Sequence, residues 1–213
     1  DATSSFNANS SGLNGVFNVV DLAGNFPIGV VNAGPGGTVN LTAVDPAVGV
    51  AAEIVDALTG EAPNIFSTSV TLAAEGGIGA ADDINLGGVE TVKAAITGAA
   101  GSIGLANAAD AAVTLVTVTS PDGNITYNQT GTPAQQLWVT WVQADTTDDV
   151  VTITNTGAID ETTNDDANPV PAVEITASTV TLAAASGGIG TASVLDVEAD
   201  DELNASTAAD GSN

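Results

Sequence analysis

The sequence contains no cysteine, no methionine and no histidine, and Lys and Arg together contribute a single residue, Lys93. Each absence removes a class of chemistry. Without Cys there is no disulfide, thiolate zinc site or Cys nucleophile. Without His, a Ser or Thr nucleophile lacks its usual activating base, and Lys93 is the one amine side chain, read as a surface residue. Nucleic-acid backbones are bound through Lys and Arg, so this chain is not expected to bind one, and an anionic membrane surface would repel it. No stretch of ~18 apolar residues exists to insert into a membrane. With no Met at all, the chain is expected to be processed or cut from a longer one, any secretion signal already removed. Aromatics make up 3% of residues against 44% hydrophobic overall. The core is therefore expected to be narrow and built of Ala, Val, Ile and Leu, because a compact globule fills its centre with larger rings.

What the chain does have is acid. Asp and Glu number 26, for a net charge of -25. Ion pairs within the protein cannot neutralise that surface, so mobile cations or bound metal must.

It also has repetition. Val70-Thr71-Leu72-Ala73-Ala74 runs into Gly76-Gly77-Ile78-Gly79, and Val180-Thr181-Leu182-Ala183-Ala184 runs into Gly187-Gly188-Ile189-Gly190. A weaker copy ends Gly101-Ser102-Ile103-Gly104. Each unit reads as a short alternating strand, a tight corner and the start of the next strand. A longer repeat overlies the short one. Ile28 and Val31 match Val139 and Val142 at an offset of 111, Val39 matches Val151 at 112, and Val70 matches Val180 at 110. Near-constant spacing with single-residue slips indicates duplicated coils with small loop insertions. Two-residue hairpin turns are sparse, Asn14-Gly15 and Asp122-Gly123 being the candidates. Ala47 to Leu58 is the best helix candidate; Val89 to Ile103, although Ala-rich, reads as strand and corner.

The expected fold is thus all-β: a parallel β-helix, or β-solenoid, of coils of roughly 20 residues whose apolar faces are buried only by stacking. It is expected to form one elongated domain over residues 1–213, duplicated as roughly 1–109 and 110–213.

The phrases VTLAA-x-GGIG, AGSIGLANAAD, PDGNITYNQ and LDVEADDELNASTAADGSN resemble the repeats of filamentous-haemagglutinin-like adhesins and of giant bacterial β-helical surface proteins. The resemblance covers most of the chain from about Gly37 onward. It implies a right-handed parallel β-helix, secretion to the cell surface, a role as stalk, adhesin or fibre, and no catalytic residues.

Candidate sites follow from the residues. Gly76-Gly77-Ile78-Gly79 lacks the Lys-Ser/Thr of a phosphate loop, and its acid falls one residue late for a calcium nonapeptide, so a corner role is expected. The acidic pairs Asp82-Asp83 and Asp165-Asp166 are the candidate calcium ligands, since hard cations take several carboxylate and carbonyl oxygens. Asp148-Asp149 and Asp200-Asp201 are further pairs. A solvated acidic surface is the competing reading for all of them, and no cofactor is required. Acids of this kind act in some glycosidases, but beside His, Arg or Lys that this chain lacks, so an enzyme is not expected. Asn9, Asn40, Asn124, Asn128 and Asn204 match the glycosylation pattern Asn-x-Ser/Thr. Trp138 and Trp141, three apart, would lie on opposite faces of one strand, one in the core and one exposed. The exposed ring would pack on a neighbouring subunit or stack on a surface glycan, packing being preferred.

Phe6-Asn7-Ala8 resembles Leu203-Asn204-Ala205, and neither end shows a capping helix, a Pro block or a Lys. Uncapped coils expose unpaired backbone groups and an apolar layer. The expected partner is therefore a second copy, stacked head to tail. The expected function is an extracellular structural protein, a segment of a surface fibre; the alternative is an adhesin module recognising glycan or calcium.

Overall fold

The structure, a computed structural model, describes residues 4–47, 50–132, 134–145, 147–162 and 172–208. The described residues form eighteen strands and no helix. In chain order the first six are β1 (Phe6–Asn9), β2 (Val16–Asp21), β3 (Phe26–Asn32), β4 (Thr38–Ala43), β5 (Ile54–Asp56) and β6 (Ile65–Phe66). Then come β7 (Ser69–Ala74), β8 (Ile84–Gly87), β9 (Thr91–Ile96), β10 (Ile103–Asn107), β11 (Val113–Thr119) and β12 (Ile125–Gln129). The last six are β13 (Leu137–Val139), β14 (Val142–Gln143), β15 (Val150–Asn155), β16 (Ile159–Glu161), β17 (Ile175–Ala184) and β18 (Val197–Thr207).

Every strand pairing is parallel, and the strands stack as a β-solenoid of about 8 turns. Each turn gives one rung to each of two ladders. The first ladder runs β2, β4, β7, β9, β11, β13 with β14, β16 with the start of β17, and the start of β18. The second runs β1, β3, β5 with β6, β8, β10, β12, β15, and the ends of β17 and β18.

Alternation in the sequence becomes columns in the stack. In β4 Val39, Leu41 and Ala43 are buried while Thr38, Asn40 and Thr42 face outward. Val39 stands in register with Val70, Val92, Leu115 and Val139 along the first ladder. On the second, Ile54, Ile78, Ile103, Ile125, Val151 and Val180 form one column. Both sets of inward residues join a single core. Each buried Val, Leu or Ile contributes roughly 1.5–3 kcal/mol, so the aliphatic columns hold the fold without an aromatic centre.

The helix candidate Ala47 to Leu58 shows no helix among its described residues. Ile54–Asp56 is β5, and Ile54 is fully buried between Phe26 and Ile78. Burial in that column outweighs the local helix preference of the flanking alanines, since tertiary context overrides propensity. Asn14-Gly15 and Asp122-Gly123 lie at corners between parallel rungs, with Asn14 itself in the left-handed region at φ 58°. Gly79 and Gly190, equivalent in the two copies of the short motif, have φ of 59° and 64°. A Cβ on Gly79 would also collide with the carbonyl of Gly104 on the next rung, so the corner needs glycine twice over.

The long repeat has an outcome that its sequence does not disclose. Val70-Thr71-Leu72 lies in β7 of the first ladder, whereas its copy Val180-Thr181-Leu182 lies in the second-ladder part of β17. Ile78 bridges within the second ladder and its copy Ile189 within the first. The two halves are thus related by an odd number of half-turns, and each copy packs on the opposite wall from its original.

One inward column turns polar. Beyond Val31, Ile65 and Leu86 it continues as Asn107, Gln129 and Asn155, all buried. Asn107 Nδ2 donates to Val89 O (2.7 Å) and Tyr127 Oη (3.0 Å), and the Tyr127 hydroxyl donates to Gln129 Oε1 (2.9 Å). Burial pushes the Tyr127 hydroxyl well above the usual phenol range, so it stays a donor. Tyr127→Phe removes this link and leaves a buried acceptor without its donor, at a cost of roughly 1–3 kcal/mol. Urea unfolding of the two proteins measures it; equal midpoints and slopes would show that the hydroxyl contributes nothing.

Candidate metal centre

Near the C-terminal end of the first ladder the apolar register is interrupted. The column of Val39, Val70, Val92, Leu115 and Val139 receives Glu161 as its next member. Glu161 is 0% exposed. Glu174 and Asp196 occupy one shared position on successive rungs, each just before an inward residue, Ile175 or Val197. Their backbones are tied: Glu174 N–H donates to Asp196 O (3.1 Å), and Val142 N–H donates to Glu174 O (2.7 Å). Asp196 N–H donates to Glu174 Oε2 (3.1 Å), which holds the Glu174 carboxylate against the Asp196 backbone.

The ligand atoms of Glu161, Glu174 and Asp196 all lie within 4.8 Å of one another. Glu174 is buried, and Asp196 Oδ2 is a buried oxygen with no hydrogen-bond donor among the described residues. The chain's one basic side chain, Lys93, sits on β9, three rungs or about 14 Å along the axis. Three carboxylates at this separation, two of them buried and Asp196 partly exposed, repel one another when ionised. Three carboxylates supply part of the oxygen shell of a calcium-sized cation, which carbonyls and waters complete.

The acidic pairs singled out from the sequence lie elsewhere. Asp82 is exposed at the corner after Gly79 and Asp83 is half-buried. Burial, then Asp82, then Glu61 push the Asp83 carboxyl above the usual carboxylate range. A raised carboxyl is an ionisation cost that the fold bears at neutral pH and is relieved of as pH falls toward the ordinary value of 3.8. Asp83→Asn should therefore raise the melting temperature at pH 7, with the gain shrinking as pH is lowered through that range. A gain that is constant with pH would point to a cause other than ionisation. Asp165 and Asp166 lie outside the described residues. Asp149 is buried and accepts from Gly123 N–H, whereas Asp148 is exposed. Asp201 Oδ2 accepts from the Ser178 hydroxyl (2.7 Å).

The Asn-x-Ser/Thr asparagines divide by engagement. Asn9 and Asn204 are exposed. Asn40 Nδ2 donates to Asn18 Oδ1 on the neighbouring rung (2.6 Å), and Asn128 Oδ1 accepts from Thr154 Oγ1 (2.6 Å). Asn124 Oδ1 accepts from Val150 N–H (2.8 Å). The matched terminal tripeptides are out of step: Phe6 stands on Ile28, whereas the column of Leu203 ends two residues earlier, at Phe26.

Trp138 and Trp141 do not divide between core and surface. Trp138 points outward from β13, half-buried, between buried Leu137 and Val139. Thr140 and Trp141 are consecutive exposed residues, opposite Val116 and Thr117, and Val116 is the extra residue of a bulge in β11. That bulge resets the alternation, so both indoles lie on the same outer face.

No signal in the sequence marks Glu161, Glu174 and Asp196 as partners, because they form no pair or motif. Only the rung register brings them together.

The fold and this cluster define a class: a parallel β-solenoid with an aliphatic core and a buried carboxylate centre. Comparison of the chain with protein-family models, curated proteins and solved structures finds no match.

Proposed function

We propose that the protein is a structural β-solenoid, a segment of an extracellular surface fibre that continues end to end through further rungs of its own kind. The observation that carries this reading is the state of the two outermost rungs. β18 has eleven residues, pairs only with β17, and is exposed along almost its whole length. At the other end β2 pairs only with β4, and its inward Phe17 and Val19 are half-exposed. Long unpaired strands are templates for more strands, and no covering element blunts them among the described residues; the charges at these edges are Asp21, in inward register with Ala43, and Asp201, bonded to Ser178, which a further rung would have to accommodate with cations. The resemblance to filamentous-haemagglutinin-like proteins points the same way. Electron microscopy of the purified chain at physiological salt tests the proposal: filaments about one solenoid wide are expected, and discrete rods at every concentration would overturn it.

The triad of Glu161, Glu174 and Asp196 favours a second property, stabilisation of the same solenoid by a divalent cation, with calcium the candidate.

A further inference from the structure

The outer wall of the first ladder differs from the rest of this acidic molecule. Across β2, β4, β7, β9, β11 and the β13–β14 rung, no outward position holds Asp or Glu. They hold Thr, Asn, Ser, Ala, Val and Gln, the chain's only basic side chain, Lys93, and both of its tryptophans. Thr71, Lys93, Thr117 and Trp141 follow one another in a single outward column. Six rungs spaced ~4.8 Å give a floor about 24 Å long, and six-residue strands make it about 20 Å wide.

The indoles mark the working end of that floor. Trp141 is 49% exposed and Trp138 is half-buried, although aromatics are scarce and the core uses neither ring. Three residues apart on one rung, they sit about 10 Å from each other along the strand direction. Beside them the β11 rung offers the hydroxyls of Thr114, Thr117 and Thr119, and β14 offers the carboxamide of Gln143. Exposed indole is apolar surface with a polar edge, suited to a ligand that is itself apolar on one face and hydrogen-bonding at its rim.

We infer that the face carrying Trp138 and Trp141 binds an extended neutral polysaccharide, with sugar rings stacked on the two indoles and sugar hydroxyls bonded to the threonines and Gln143. Charge selects the occupant. With a net charge of -25, the molecule repels an anionic glycan, and on this wall it repels a second copy, which would gain here none of the backbone pairing that an end-to-end contact offers. A neutral sugar chain feels neither repulsion, and over these six rungs no strand residue offers it a carboxylate; on the next rung Asp160, in register with Trp138, is buried and held by Gln136 Nε2. The strip is open along its length and at one edge borders a hollow lined by Thr119, Pro121, Gln143 and Asp145, which suits a chain that extends past the protein on both sides. The inference adds a binding surface and does not rest on the fibre proposal.

Because the chain has only these two tryptophans, indole fluorescence, excited selectively over that of the one tyrosine, reports on this face alone. The test titrates the protein with cellohexaose, chitohexaose and mannohexaose, each to about 1 mM. At least one should give a saturable blue shift, with affinity unchanged between low and high NaCl. Trp141→Ala should weaken that binding at least tenfold with no change in melting temperature. Thr117→Val, which keeps the shape and removes the hydroxyl, should weaken it several-fold. No saturable change with any of the three sugars overturns the inference. So does a blue shift that grows with protein concentration alone and accompanies a dimer in sedimentation, which would assign the face to a second copy. Binding that survives in both Trp141→Ala and Trp138→Ala places the sugar elsewhere and also overturns it. Trp138→Ala is scored only after circular dichroism shows the fold intact.

Discussion

Stripped of divalent cations in low-salt buffer, the solenoid is expected to melt well below its temperature in calcium, and two separable effects should account for the gap. The first is screening. Twenty-six acids facing one base repel one another across the whole surface, and any salt that shortens the Debye length relieves them. The second is local to Glu161, Glu174 and Asp196, whose ligand atoms share a space 4.8 Å across. A cation bound there at a hundred times its dissociation constant adds about 2.7 kcal/mol, or roughly 5–10 °C for a domain of this size. NaCl alone should recover the screening part and leave the calcium increment intact. Glu161→Gln should remove that increment and keep the response to NaCl. Glu161→Leu goes further, because it restores the aliphatic column running up through Leu115 and Val139. Replacing buried charge by packed hydrocarbon is often neutral or stabilising by 1–4 kcal/mol, so this variant should melt at least as high as the calcium-loaded parent and ignore chelator. A parent indifferent to chelator, calcium and NaCl alike would sink both effects. A Glu161→Gln protein that keeps the calcium increment would sink the site alone.

Leu203→Asp should abolish filaments while leaving the melting temperature of the single unit unchanged. Leu203 is 53% exposed, so the isolated molecule loses little by the exchange. In a junction the same residue closes the column of Ile125, Val151 and Val180, and a further rung would bury it completely. A carboxylate there must be desolvated with no cation to meet it, in a contact already opposed by the acid of both partners. The contact is heterologous and does not close, so weakening it shortens every filament in the population. Sedimentation and negative-stain microscopy at high salt, where repulsion is least, provide the readout. A parent that stays a monodisperse monomer there refutes end-to-end assembly, and filaments of equal length in the variant refute this edge as the junction.

The polysaccharide face and the fibre proposal occupy different surfaces of the solenoid, one along the wall and one at the ends. A substitution at Trp141 should therefore leave filament length alone, and Leu203→Asp should leave the fluorescence response to sugar alone.

The sequence by itself determined that this chain builds strands and stacks them. Alternation such as Thr38-Val39-Asn40-Leu41-Thr42 sets which side chains face inward, the Gly-Gly-Ile-Gly corners set where the chain turns, and the lack of His, Arg and Cys removed whole classes of chemistry. These are local properties, fixed by residues within a few positions of one another. The tertiary structure alone decided which rung lies over which. Successive members of one column, Val39, Val70, Val92, Leu115, Val139 and Glu161, are separated by unequal stretches of chain, because loops of different length intervene. One extra residue at Val116 moves Trp141 from an expected opposite face to the side of Trp138. The segments matched at an offset of about 111 residues lie on opposite walls, because that offset spans an odd number of half-turns. Glu161, Glu174 and Asp196 meet for the same reason. A solenoid accumulates register across loops, and the position of any side chain along the stack is the sum of all the corners before it.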